Sequence, residues 1–272
     1  MKNLIRSIIL FILLLSVLTY IIYIDSTNGA LTRLSVHKQE LIHETIPESM
    51  DGLTFVYLSD IHAYTLDKTY YEEVMNKVIE LKPDFIFIGG DLIDETSLSD
   101  EQVLQMIDWL SSLPAPLGKF AVLSDLDIEH IETIEAIYSQ SNIEILDNTV
   151  LNLHNKSKDS IQLIGLSPDS SNELLNQIEQ NQYNIVLSYD PSIYSDWKNQ
   201  NIELFFGAKT HGGQVNLPLY GSLFNQANGS YIKGTYKSDT SQLIISNGIG
   251  VSNLRARWMC DPTIYYFTLR NN

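Results

Sequence analysis

Along most of the chain, short apolar runs alternate with segments whose apolar residues recur at helical spacing. FVYLSD (Phe55 to Asp60) reads as a strand; Tyr71, Val74, Met75, Val78 and Ile79 then follow at a period near 3.6, and Pro83 separates that helix from the strand DFIFIGGD. Ser99 with Gln102 three residues later predicts a capping box for a helix carrying Val103, Ile107 and Leu110. Pro114 and Pro116 break the chain before the strand KFAVLSD, and a helix is expected over Ile131 to Tyr138. Further strands are expected at Ile161 to Gly165, Ile185 to Ser188, Leu204 to Phe206, Leu243 to Ser246 and from Ile264 to Leu269. Strands alternating with helices predict a layered α/β domain, and in such folds functional groups gather beyond the C-terminal ends of the strands.

The N-terminus departs from this rhythm. Ser7 to Ile24 (SIILFILLLSVLTYIIYI) carries no charge and is long enough to span a bilayer core. Lys2 and Arg6 precede it and Asp25 follows, so the positive-inside rule expects a single-pass anchor with the following domain on the extracytoplasmic side. The stretch DSTNGALT is a poor small-x-small cleavage site, which favours a retained anchor. The expected division is a membrane anchor over 1–24, a juxtamembrane connector and edge strand over 25–52, and a folded domain over 53–270.

Charge and cysteine content narrow the partners. With 33 acidic against 17 basic residues and a net charge of −16, neither nucleic acid nor an anionic lipid surface is an expected partner. The single cysteine, Cys260, excludes an intrachain disulfide, and a buried structural thiol is expected there.

Three strand ends carry candidate chemistry: Asp60 and His62 in SDIH, Asp91 in GGDLID, and His211 in KTHGGQ. Two carboxylates and two imidazoles suit zinc, manganese or iron. Taken singly, each of these residues also serves as a turn former or helix cap.

The order SDIH, GGDLID, AVLSDLD, IVLSYDP and GAKTHGGQVNLP resembles the calcineurin-like metallophosphoesterases, and more narrowly their membrane-anchored bacterial branch. That branch typically writes D-x-H, GD-x-x-D, GNHD, a histidine ahead of a proline, and GHTHGGQ followed by Leu-Pro. The resemblance covers about Leu53 to Leu269, including the tail SNGIGVSNLRARWMCDPTIYYFTL. It implies a four-layer α/β/β/α sandwich and a two-metal phosphoester hydrolase. One metal ion would take Asp60, His62 and His211, with Asp91 bridging to a second.

This chain departs from the family at the second-metal positions. Where GNHD is expected stand Ser124, Asp125, Leu126 and Asp127, so the amide ligand is an aspartate and the expected leaving-group acid is Leu126. Tyr189 and Asp190 occupy the stretch where a histidine precedes Pro191, and Lys209 stands for the last histidine. A dication about 4 Å from an ammonium meets a repulsion of about 8 kcal/mol at an effective dielectric of about 20. One divalent ion is therefore expected and a second is not, with Lys209 paired to Asp125 and Asp91 in its place. His130, just past Asp127, is weighed as a replacement acid against a solvated helix residue. The resulting expectation is a binding or scaffolding protein with weak or absent hydrolysis. The alternative is an active metal-dependent phosphoesterase acting on a phosphorylated lipid or cell-envelope precursor.

Overall fold

The computed structural model describes residues 2–94, 98–170, 172–223, 231–252 and 254–272; Asn253, within the tail that carries the resemblance, lies outside them. In chain order the helices are α1 (Lys2–Thr27), α2 (Lys68–Leu81), α3 (Asp100–Ser112), α4 (Asp125–Glu129), α5 (Ile131–Gln140) and α6 (Tyr194–Trp197). The strands are β1 (Ser35–His43), β2 (Thr54–Leu58), β3 (Phe85–Ile88), β4 (Gly118–Ala121), β5 (Glu144–Ile145), β6 (Thr149–His154) and β7 (Ser160–Leu166). They continue as β8 (Asn184–Ser188), β9 (Leu204–Gly207), β10 (Asn216–Leu217), β11 (Gly221–Ser222), β12 (Gly234–Lys237), β13 (Gln242–Ile245) and β14 (Thr263–Asn271).

Two six-stranded sheets form the body, in the orders β1-β14-β2-β3-β4-β5 and β12-β13-β9-β8-β7-β6, and β10 and β11 make a separate hairpin. In the first sheet β14 runs antiparallel to β2 while β2, β3, β4 and β5 run parallel. In the second, β7, β8, β9 and β13 are parallel, with β6 and β12 antiparallel at the edges.

Period-two alternation explains why the sheets stack. Phe55, Tyr57, Phe85, Phe87 and Phe267 of one sheet meet Leu163, Ile185, Leu187 and Phe206 of the other in a shared core. Their neighbours Val56, Leu58, Ile86 and Ile88 point the other way, onto Val74 and Val78 of α2, Leu110 of α3 and Ile134 of α5. On the far face of the second sheet, Ile164, Val186, Phe205 and Leu243 pack against Tyr194 and Trp197 of α6. The four-layer α/β/β/α order expected from sequence is present, but its last layer is built from α6 and short 3-10 turns rather than long helices.

The apolar N-terminal helix runs to Thr27, three residues beyond the apolar stretch that ends at Ile24, and Ser26 and Thr27 return hydroxyl bonds to the Tyr23 carbonyl. The expected helix over Ile131 to Tyr138 extends to Gln140 and is preceded by the short α4, which sequence reading missed. The capping box at Ser99 and Gln102 is present with both reciprocal bonds. β1 is the expected edge strand and pairs in parallel with β14.

Candidate metal centre

Asp60 and His62 follow β2, Asp91 follows β3, and His211 follows β9, so the C-terminal ends of strands from both sheets meet at one point. Parallel pairing of β2 and β3 continues past their ends: the Asp60, His62 and Ala63 amides donate to the carbonyls of Gly90, Asp91 and Leu92 at 2.9, 3.0 and 3.0 Å. These bonds hold the first two loops in register although Asp60, His62, Asp91 and His211 all adopt left-handed φ values, from 41° to 52°. Non-glycine residues in that region carry strain, which the surrounding hydrogen bonds hold in place.

All four expected ligands converge, are buried, and place their donor atoms within 4.8 Å of one another. His62 Nε2 lies 3.0 Å from His211 Nε2 and 3.4 Å from Asp91 Oδ2, while His211 Nε2 lies 3.6 Å from Asp60 Oδ1. Two ligands of a tetrahedral ion with bonds of ~2.0–2.1 Å stand ~3.4 Å apart, so these separations fit one ion. Asp91 Oδ1 is buried without a hydrogen-bond partner, which leaves a lone pair for the same purpose.

The surroundings prepare each donor. Asp60 accepts from the Ser59 hydroxyl and, at 3.0 Å, from the Lys209 amide. His62 Nδ1 meets Asp94 Oδ1 at 2.9 Å, so a carboxylate fixes the ring and leaves Nε2 to face the centre. Asp127 is buried and accepts from the backbone amides of Asp91, Leu92 and Ser124 at 2.9, 3.1 and 3.0 Å, binding the Asp91 loop to the start of α4. Asp94 and Asp127 close the GD-x-x-D and GNHD positions in sequence, but neither carried an expected role. Asp127 stands at N3 of α4 with Ser124 as N-cap, and that capping box is the signal that would have found it.

Burial raises the pKa of Asp60, and the nearby Asp91 adds to the rise. Burial alone would lower that of His62, but hydrogen bonds to Asp91 and Asp94 and the charges of Asp91 and Asp60 overcome it and lift the imidazole to about 10. The Asp91 carboxyl is held below its ordinary value, because His62, Ser124 and Tyr189 together outweigh the penalty of burial. Burial, with His62 and Arg257 adding, pushes His211 well below the ordinary imidazole value.

Without metal, the His62 contribution to stability is complete below about pH 6.5 and is lost as pH rises through about 10. A metal ion needs that nitrogen free of its proton, so metal affinity runs the other way and rises with pH. Thermal melts with and without zinc should show metal-induced stabilisation growing between pH 6 and 9; a flat or falling difference contradicts this coupling.

The positions that depart from the family form a second group beside the first. Lys209 Nζ pairs with Asp190 Oδ2 at 2.9 Å and with Asp125 Oδ2 at 3.6 Å, and lies 5.3 Å from the centre of the Tyr189 ring. The expected pairing with Asp91 is corrected: Tyr189 donates its hydroxyl to Asp91 Oδ2 at 2.8 Å and takes that place. Tyr189 therefore does more than fill the volume of an imidazole. Burial opposes the charge on Lys209, yet Asp190 and Asp125 raise its pKa, so the residue remains an ammonium. Asp125 is largely exposed at the first turn of α4, and Leu126 beside it is half-buried. His130 stands at the junction of α4 and α5, its amide donating to the Asp127 carbonyl at 3.1 Å, and the described hydrogen bonds tie it to none of the four ligands. Cys260 is buried, as expected, with its thiol directed at the His211 carbonyl at 3.1 Å.

The calcineurin-like phosphoesterase profile matches residues 53–215, more than half of the chain, and spans Asp60, His62, Asp91, His211 and the Lys209 group. The chain belongs to the calcineurin-like phosphoesterase family. Metallophosphoesterase YkuE of Bacillus subtilis is 26% identical to it over 83% of this chain and 82% of that protein. A Helicobacter pylori metallophosphoesterase is 28% identical over 80% of this chain, which spans 60% of that longer relative. The UDP-2,3-diacylglucosamine pyrophosphatase LpxG of Chlamydia muridarum is 26% identical over 62% of this chain and 66% of its own length. Members of this family work with divalent metals, and the group of Asp60, His62, Asp91 and His211 is present in this one.

Proposed function

We propose that this chain is a membrane-anchored, extracytoplasmic metallophosphoesterase-family protein with a single metal ion, which binds a phosphorylated ligand and hydrolyses it slowly or not at all. The observation that carries this reading is Lys209, whose ammonium lies between Asp190 and Asp125 beside the Asp91 that Tyr189 occupies. Protein groups thus stand at the positions where the family resemblance expects ligands of a second ion. A bound divalent ion would supply Lewis-acid charge to phosphoryl oxygens through Asp60, His62, Asp91 and His211.

The rest of the catalytic equipment is weak. Lys209 is already paired with two carboxylates, which offsets the charge it could present to a phosphoryl group. Leu126, at the expected acid position, has no proton to give a leaving group. The anchor reading is supported by α1, a long apolar helix with no buried residue, and the side of the membrane rests on Lys2 and Arg6 preceding the span.

A second reading keeps full activity on a phosphorylated lipid or envelope precursor. It is favoured by the similarity to a protein named as a diacylglucosamine pyrophosphatase, together with the apolar N-terminal helix. Metal analysis and turnover separate the two readings. The full chain in detergent is expected to hold one tightly bound ion and to show almost no hydrolysis of bis-(p-nitrophenyl) phosphate or p-nitrophenyl phosphate with manganese, zinc or iron. Two ions per chain, or robust turnover abolished by Asp91→Ala, would overturn the proposal.

A further inference from the structure

The β10-β11 hairpin begins just beyond the His211 loop and exposes apolar side chains at its tip. Leu217, Leu219, Tyr220 and Leu223 are 39%, 110%, 76% and 46% exposed. In the turn between the strands, Pro218 is followed by Leu219 at φ 66°, and the Tyr220 amide donates to the Leu217 carbonyl at 3.2 Å. That is a type II geometry, in which glycine is favoured at the position held here by leucine. The fold thus accepts backbone strain and solvent exposure at one residue, which is intelligible if the side chain is covered by something apolar.

Two further observations indicate what covers it. The base of the hairpin is bonded to the segment that receives the end of α1: Asn216 donates to the Trp258 carbonyl at 2.9 Å, and the adjacent Arg257 amide donates to the Ser26 carbonyl of α1 at 2.8 Å. The patch therefore continues from the point where the apolar helix joins the domain, with Met259 exposed alongside. Among the described residues, two exposed cations lie on neighbouring segments: Lys233, whose ammonium donates to the Met259 carbonyl, and Arg255. An apolar tip with an aromatic and a cationic rim suits the interface of a bilayer, where leucine enters the acyl boundary and Tyr, Lys and Arg remain at headgroup level.

We propose that the β10-β11 tip lies in the surface of the bilayer that α1 spans and forms a second membrane contact next to the metal centre. The inference rests on the membrane reading of α1. The hairpin is also fastened to the metal loop, with the Asn216 side-chain amide donating to the Gly212 carbonyl and the Ser222 hydroxyl to the Gly213 carbonyl, each at 3.1 Å. Only Asn216 and Leu217 precede the turn in β10, so Leu219 stands less than ~10 Å from Asn216, and the contact would hold the metal centre close to the headgroups.

The test uses the full chain in single-copy nanodiscs of zwitterionic lipid. An environment-sensitive fluorophore is attached at Leu219→Cys, at Tyr220→Cys, at Phe11→Cys within α1, or at Lys158→Cys on the exposed turn between β6 and β7. The native Cys260 is buried and shielded from labelling. Labels at 219 and 220 are expected to be quenched by lipid-borne quenchers about threefold more than the label at 158, and correspondingly less by aqueous iodide. Quenching at 11 without quenching at 219 and 220 overturns this inference while leaving the anchor in place. Quenching at none of these sites removes the anchor reading and the inference together. Protection of 219 only when two copies share a disc would assign the tip to a dimer contact and also overturn the proposal.

Discussion

A full-length variant carrying Asp125→Asn, Leu126→His, Tyr189→His and Lys209→His is expected to bind a second metal ion and to gain phosphodiesterase activity by ~10²-fold or more over the parent. Each change removes a specific obstacle. Lys209→His withdraws an ammonium whose repulsion of a dication at ~4 Å is about 8 kcal/mol at an effective dielectric of about 20. Tyr189→His frees Asp91 Oδ2, which the phenol now holds at 2.8 Å. Leu126→His offers a proton donor beside the first turn of α4, and Asp125→Asn removes a carboxylate no longer matched by the lysine. Asp190 loses its 2.9 Å partner, but it is partly exposed and water can take the place of the ammonium. Metal content and turnover are read on the same preparation. A folded variant that still holds one ion and gains no activity would contradict the proposal that these four positions limit metal binding and hydrolysis.

Asp127→Ala should produce the largest loss of stability of any single change at the site. Its carboxylate receives the amides of Asp91, Leu92 and Ser124, all inside the protein. Stranding buried donors costs about 1–3 kcal/mol each, less whatever relaxation recovers, so a net loss of about 3–5 kcal/mol is expected. For a domain of this size that corresponds to a fall in melting temperature of ~10 °C. The Asp91 loop should loosen with it, weakening metal binding beyond what unfolding alone explains. Asp127→Asn, which keeps an acceptor oxygen, should recover part of the stability. An Asp127→Ala protein that melts with the parent would show that these bonds are dispensable.

Much of the site was legible because its residues lie at strand ends, and strand ends are marked by the change from apolar runs to Asp, Gly and His. Asp60, Asp91 and His211 come within four residues of such runs, so local pattern was enough to find them. The pairings around Lys209 were only half legible. That it would need a carboxylate followed from its charge, but the choice of Asp190 over Asp91 depends on how the ends of β8 and β9 lie side by side, which no local pattern reports. Asp94 and Asp127 escaped for a related reason: each supports a ligand that lies on a different loop, more than 30 residues away in sequence, and its type is ordinary in a loop or cap. The exposed hairpin tip was passed over because its apolar residues follow neither a helical nor a strand period.

The buried Arg257 has a consequence for how the molecule is handled in experiment. Its guanidinium donates to the carbonyls of Asn247, Gly250 and Cys260, its own amide is bonded to Ser26 at the end of α1, and the Cys260 thiol meets the carbonyl of His211. A continuous mechanical linkage thus runs from the apolar helix to a metal ligand through one arginine. A domain cut free of its helix lacks the bond from Arg257 to Ser26, so rates or affinities are best measured on the intact chain.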